Sequence, residues 1–209
     1  MRVWRIGERP RARPARAWSS LRVAIVALAW VAASTTAWAQ GGAEVAAQVK
    51  VCGACHGEDG NSRTPNTPSL AGQPEFFLLN QLILMREGVR RIDVMAALVT
   101  PLTDDQITAL ARHFAAQPAK ASGEAVDAAL KERGAGLATK LRCASCHRAD
   151  FGGQDQMPRL AMQRLDYLIS SMKALRDDKR SGADTLMTAA ITGVSDADLT
   201  AIAHHVVAP

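Results

Sequence analysis

The chain reads as an all-α protein built from two tandem copies of one helical unit. Three observations predict this. No run of alternating Val, Ile and Thr is present, and Ala-rich segments with apolar residues every three or four positions dominate instead. The second half of the chain also repeats the first at an offset of about 90 residues.

The first 39 residues stand outside the repeat. Seven arginines (Arg2, Arg5, Arg9, Arg11, Arg13, Arg16 and Arg22), opposed only by Glu8, precede the uncharged run from Val23 to Ala33. Ala37-Trp38-Ala39 then precedes Gln40. A basic stretch, a short apolar core and a small-residue A-x-A site predict a cleavable signal peptide, cut near Ala39/Gln40; an uncleaved N-terminal anchor is the alternative. No two of these arginines are adjacent, so Sec-type export to the periplasm is expected rather than a twin-Arg route.

Composition changes once this leader is set aside. The whole chain has 25 Lys+Arg against 20 Asp+Glu, but beyond residue 39 there are 18 basic side chains against 19 acidic ones. The basic excess belongs to the leader, which removes the case for nucleic-acid binding. All four tryptophans leave with it. The aromatics that remain are Phe76, Phe77, Phe114, Phe151 and Tyr167, too few to fill the core of 170 residues. Something other than side chains is expected inside.

Helices are predicted near 43–55, 75–87 and 103–116, then near 125–146, 164–177 and 195–207. The last helix of each copy has a start resembling a capping box, at Thr103-Asp104-Asp105-Gln106 and Ser195-Asp196-Ala197-Asp198. Residues 117–123, with a Pro near one end and a Gly at the other, read as the linker. Domains are therefore expected at 40–120 and 121–209.

All four cysteines lie in two copies of one motif, Cys52-Gly53-Ala54-Cys55-His56 and Cys143-Ala144-Ser145-Cys146-His147. C-x-x-C-H is the attachment motif of c-type haem. Two thiols on one helical turn add to the porphyrin vinyl groups, and the next residue sets an imidazole beneath the iron. A redox C-x-x-C needs no such His, and a four-thiolate zinc site is rarely split by 91 residues. Two covalent haem groups are expected, bound at Cys52, Cys55, Cys143 and Cys146, with His56 and His147 as axial ligands.

The repeat selects the opposite ligands. Methionine is the usual partner of a His-ligated electron-transfer haem. Of the methionines beyond the leader, only Met95 and Met187 occupy equivalent places; Met85, Met157, Met162 and Met172 have no counterpart. His113 and His205 are also equivalent but fall beside the apolar stripes of the terminal helices, and read as edge or solvent-facing residues.

With these strings in place (CGACHGEDGNS, PSLAGQPEFFLLNQL, MREGVRR and MAALVTPLTDDQITALARHF, with their more worn second copies), the sequence resembles the dihaem cytochromes c of the cytochrome c4 family. The resemblance implies two tandem class I cytochrome c domains packed face to face. It further implies that the Pro68 and Pro158 carbonyls accept the Nδ1–H of His56 and His147. Arg86, Arg90, Arg176 and Arg180 become candidates for the haem propionates or the interface, against the plainer reading of exposed arginines near helix ends. Met162 replaces a Gly of the pattern, Phe77 a Tyr, and the loop after His147 lacks the Gly-x-x-Gly of the first copy.

The expected function is that of a periplasmic electron carrier between a quinol-oxidising complex or dehydrogenase and a terminal oxidase or reductase, with peripheral membrane association allowed. The dihaem subunit of a flavocytochrome c sulfide dehydrogenase is the alternative. A dihaem peroxidase is disfavoured, because it needs an open iron position and each copy has a Met to close it.

Overall fold

The computed structural model describes residues 44–182 and 185–208; the leader expected over residues 1–39 lies outside them. No strand occurs among the described residues. In chain order the helices are α1 (44–56), α2 (Glu75–Arg86), α3 (Asp93–Val99), α4 (Asp104–Ala115), α5 (Ala128–Lys140), α6 (Ala144–His147), α7 (Leu165–Arg176), α8 (Thr185–Ile191) and α9 (Asp196–Val206). The first four belong to the N-terminal copy and the last five to the C-terminal copy. From Val45 onward the chain forms one compact unit.

Each copy has its own apolar core. In the first, Leu78 and Met85 of α2 meet Val99, Ile107, Leu110 and Phe114. In the second, Leu168, Met172 and Leu175 of α7 meet Ile191, Leu199, Ile202 and Val206. The unmatched Met85 and Met172 are thus core filler, as a flexible thioether suits.

Two local details depart from expectation, and a third meets it in the first copy alone. The helix expected over 125–146 is broken in two. Arg142 adopts φ +58°, its N–H bonds the Thr139 carbonyl, and the Cys143 N–H reaches back to Ala138. This pair of bonds is a Schellman ending to α5, with Arg where Gly is usual. Second, α3 and α8 were not foreseen, since seven residues carry too little periodicity. Third, α4 opens with a full capping box: Thr103 Oγ accepts from the Gln106 N–H and Gln106 Oε1 accepts from the Thr103 N–H. At α9 the Ser195 hydroxyl accepts from the Asp198 N–H but donates to the Asp198 carboxylate itself. Asp is one methylene shorter than Gln, and its carboxylate meets the Ser195 hydroxyl instead of the backbone.

The two copies are joined by the segment 116–127, which is anchored at both ends. Asn61 Nδ2 donates to the Pro118 carbonyl while its Oδ1 accepts from the Lys120 N–H, at 3.1 and 2.7 Å. Glu124 accepts from the Leu165 and Asp166 N–H groups at 2.8 and 3.1 Å, capping α7 from a distance in sequence. The expected linker is therefore structured.

Candidate functional site

In the first copy, α1 runs unbroken through Cys52 and Cys55 to His56, which puts both thiols on one face of the helix. In the second, the short α6 carries Cys146 and His147, with Cys143 at its N-cap. Cys52 and Cys143 are half-buried and Cys55 and Cys146 exposed. Burial pushes the Cys52 and Cys143 thiols up. No cysteine is in a disulfide, and no cluster of three or more His, Cys, Asp or Glu able to hold a bare metal ion occurs among the described residues.

Both motif histidines are buried and held in the same way. His56 Nδ1 donates to the Pro68 carbonyl at 2.8 Å, and His147 Nδ1 donates to the Pro158 carbonyl at 2.9 Å. Burial lowers both imidazole pKa values, partly opposed by the carbonyl. A neutral ring with Nδ1–H engaged has its lone pair on Nε2, the atom that a metal takes.

Met95 on α3 packs against the core that also contacts Cys52, and Met187 on α8 against the core that contacts Cys143. Each short helix thus carries a thioether to the core that the first motif cysteine of its own copy touches. His113 is half-buried and edge-on to Phe114, and His205 is half-buried and edge-on to Phe151. His204, which had no role in the sequence reading, is buried, and its Nδ1 accepts from the Asp127 N–H at the start of α5.

The four repeat-matched arginines divide into two pairs. Arg86 donates to Asp104 at 2.7 Å and to the Leu102 carbonyl at 3.3 Å; Arg176 donates to Asp196 at 2.6 Å and to the Val194 carbonyl at 2.9 Å. They tie the end of α2 to the start of α4, and the end of α7 to the start of α9. Arg90 and Arg180 instead converge on Tyr167. Arg90 donates to Gln81 and, at 3.4 Å, to the Tyr167 hydroxyl, while Arg180 donates to Ser171 at 2.5 Å. Burial pushes the Tyr167 phenol up, but the charges of Arg90 and Arg180 outweigh this and hold it below the usual range. Burial also pulls the Arg180 guanidinium down.

Among the described residues no carboxylate accepts from Arg90, Arg180 or the buried Arg159, and the Nε atoms of Arg90 and Arg159 are buried without a partner. Burial pulls Arg159 down to about 10. Buried cations without counter-anions are costly. The donor set as a whole suits a group that brings two vinyl carbons, an iron and two carboxylates: thiols in pairs, an oriented imidazole, and buried guanidinium groups without anions. Haem is such a group.

Two residues at equivalent positions of the repeat, not singled out as site candidates, are central. Gln73 and Gln163 are 3% exposed, and each grips the backbone of the other copy. Gln73 Oε1 accepts from the Arg159 N–H at 2.9 Å and its Nε2 donates to the Arg159 carbonyl at 3.0 Å. Gln163 does the same to Ser69, at 2.7 and 2.9 Å. The available signal was a Gln five residues after the repeated Pro in both copies.

Comparison with known proteins agrees with this frame. A family model described as Cytochrome c matches residues 131–208. Cytochrome c4 of Pseudomonas aeruginosa is 33% identical over 174 residues, covering 77% of this chain and 84% of that one. The solved structure of reduced recombinant cytochrome c4 from Pseudomonas stutzeri matches with TM-score 0.72 at 30% identity, over 78% of this chain and 96% of that chain. The thiosulfate dehydrogenase electron acceptor of Thiomonas intermedia is 31% identical over 193 residues, covering 87% of this chain and 86% of that one. An all-α frame with two C-x-x-C-H motifs and these likenesses defines a class I c-type cytochrome in tandem form, an electron-transfer protein rather than an enzyme. The chain belongs to the cytochrome c4 family. It carries two covalent haem c groups, at Cys52/Cys55 and Cys143/Cys146.

Proposed function

We propose that this chain is a periplasmic dihaem carrier of single electrons, with domains at 40–120 and 121–209. His56 and Met95 would hold one haem, and His147 and Met187 the other. The observation that carries this reading is that each copy has a carbonyl-oriented imidazole at the end of its C-x-x-C-H motif, and a repeat-matched methionine on a short helix beside the core that the motif's first cysteine touches. When bound, each haem iron supplies one-electron chemistry between its ferric and ferrous states.

The residues of the chain do the rest. Pro68 and Pro158 hold the imidazole orientation and tautomer. Met95 and Met187 would hold the iron from the side opposite the imidazole, which would leave outer-sphere electron transfer as the chemistry and exclude substrate from the iron. Arg90 and Arg180 would offset propionate charge, whereas Arg86 and Arg176 hold the helix ends that frame the Met segments. The leader directs export, and among the described residues no helix is long and apolar enough to cross a membrane.

The donor is a quinol-oxidising complex or a dehydrogenase, and the acceptor a terminal oxidase or reductase. The Thiomonas relative, an acceptor for thiosulfate dehydrogenase, favours the dehydrogenase as donor. An absorption spectrum with haem quantification tests the site. Two covalent haems and a weak far-red Met-to-iron band in the oxidised protein are expected, with part of that band lost in each of Met95→Ala and Met187→Ala. A band unchanged in both variants would refute the methionine assignment.

A further inference from the structure

The carbonyl that orients His56 and the N–H gripped by Gln163 belong to one peptide group. A peptide is a single conjugated plane, and here Pro68 contributes the C=O and Ser69 the N–H. His56 Nδ1–H therefore donates at 2.8 Å to a carbonyl whose own amide N–H donates at 2.7 Å to Gln163 Oε1. The second copy repeats the chain in reverse. His147 Nδ1–H donates at 2.9 Å to the Pro158 carbonyl, and the Arg159 N–H of that peptide donates at 2.9 Å to Gln73 Oε1. In both chains the glutamine comes from the opposite copy.

Hydrogen bonds in series polarise one another, by roughly 10–30% per bond, and do so more effectively in a buried, low-dielectric setting. Ser69 is 1% exposed, and both glutamines are 3% exposed. An acceptor on the amide N–H makes the carbonyl oxygen more negative. That oxygen pulls harder on the imidazole Nδ1–H and gives the ring more imidazolate character. A more basic axial imidazole favours ferric over ferrous iron.

We propose that Gln163 and Gln73 are positioning residues that set the donor strength of the axial imidazole in the opposite copy, so that each haem potential is tuned across the contact between copies. Gln163 acts on His56, and Gln73 acts on His147. By linkage, oxidation of either haem strengthens the grip of the other copy's glutamine. The proposal rests on His56 and His147 being the axial ligands.

The test is a redox titration of the haem-loaded protein by NMR, with the haem methyl signals giving a separate midpoint potential for each haem. Gln163→Met keeps the side-chain volume and removes all three of its hydrogen bonds, the two to Ser69 and the one that Oε1 accepts from the Arg164 N–H of its own copy. It is expected to raise the potential of the N-terminal haem and leave the C-terminal one in place; Gln73→Met gives the reverse. Gln163→Glu retains an acceptor for the Ser69 N–H and shifts the N-terminal potential downward or not at all, which gives a sign test if the Met variant does not fold. Ser181→Ala removes a neutral contact between copies, the Ser181 hydroxyl that accepts from the Arg91 N–H at 2.7 Å, and leaves both potentials unmoved.

The proposal is overturned by a shift confined to the haem of the mutated copy, by equal shifts, by no shift, by a Glu variant that moves with the Met variant, or by a Ser181→Ala shift as large as that of Gln163→Met. A wild-type haem spectrum in His56→Gln would overturn the axial assignment itself. That failure is distinct from unmoved potentials in a normally ligated protein.

Discussion

Gly134 of α5 lies directly beneath Ala201 of α9, so close that a Cβ on Gly134 would stand 2.0 Å from the Ala201 carbonyl oxygen and 2.9 Å from the Cβ of His205. The two helices therefore meet backbone to backbone, and α9 is in turn packed on α7. Any side chain at 134 must drive α5 away from α9. Gly134→Ala is expected to destabilise the C-terminal copy by about 3 kcal/mol, the upper part of the usual overpacking range. Urea unfolding followed by circular dichroism checks this, and a loss below about 1 kcal/mol would show that the crossing has room to adjust.

The two copies treat left-handed backbone positions differently. Gly57, Gly60 and Gly72 have φ of +86°, +75° and +64°, and their repeat partners Arg148, Phe151 and Met162 have φ of +70°, +51° and +59°. Side chains in this region cost roughly 1–2 kcal/mol per residue. Phe151 is buried at 4% exposure and packs on its core, which offsets the strain. Met162 is 45% exposed and gains no such return. Met162→Gly is expected to stabilise the protein by up to ~1 kcal/mol, seen as a higher urea midpoint with unchanged slope. A lower midpoint would mean that Met162 makes a contact worth more than its backbone strain.

Glu124 supplies a cap that α7 lacks locally, because its N-cap residue Arg164 makes no capping bond. The same carboxylate lies 3.4 Å from the buried Arg164 guanidinium. Glu124→Ala leaves two helix N–H groups without their partner and is expected to cost about 1–2 kcal/mol. Faster amide exchange at Leu165 and Asp166 would localise the effect, whereas unchanged exchange there would exclude a capping role.

The linker contact is sensitive to pH. The Lys120 ammonium, 2.7 Å away, and the Asn61 N–H hold the Asp59 carboxyl at about 2, below its ordinary value of 3.8. A depressed carboxyl adds stability above its unfolded pKa, and that contribution is lost as pH falls through the folded value. The Lys120–Asp59 tie is therefore intact above about pH 4 and releases on approach to pH 2. Carboxyl carbon NMR should place the Asp59 midpoint near 2, and Lys120→Ala should move it upward. A midpoint near 4 in the unmodified protein would show the ion pair to be broken in solution.

Much of the architecture is written locally. The Thr103 and Ser195 caps, the helical periodicity and the duplicated C-x-x-C-H motifs each depend on residues within a few positions of one another. What escaped the sequence reading depends on distant partners or on very short spans. α3 and α8 span seven residues each and owe their existence to the cores they cover. The break between α5 and α6 turns on Arg142 taking a backbone angle that its side chain does not advertise. Glu124 and His204 carry no local sign of their roles, because the N–H groups they bind lie about 40 and 77 residues away.

The sequence by itself determined the chemistry of this protein: covalent haem twice over, in two related helical copies. Thiol, thiol and imidazole must be neighbours along the chain to meet one porphyrin, so their spacing is local information. Only the tertiary structure decided how the copies meet. A buried glutamine has no preferred partner until folding removes water from around it. Gln73 and Gln163 then find the Arg159 and Ser69 backbone of the opposite copy, on the same peptides that orient the two histidines.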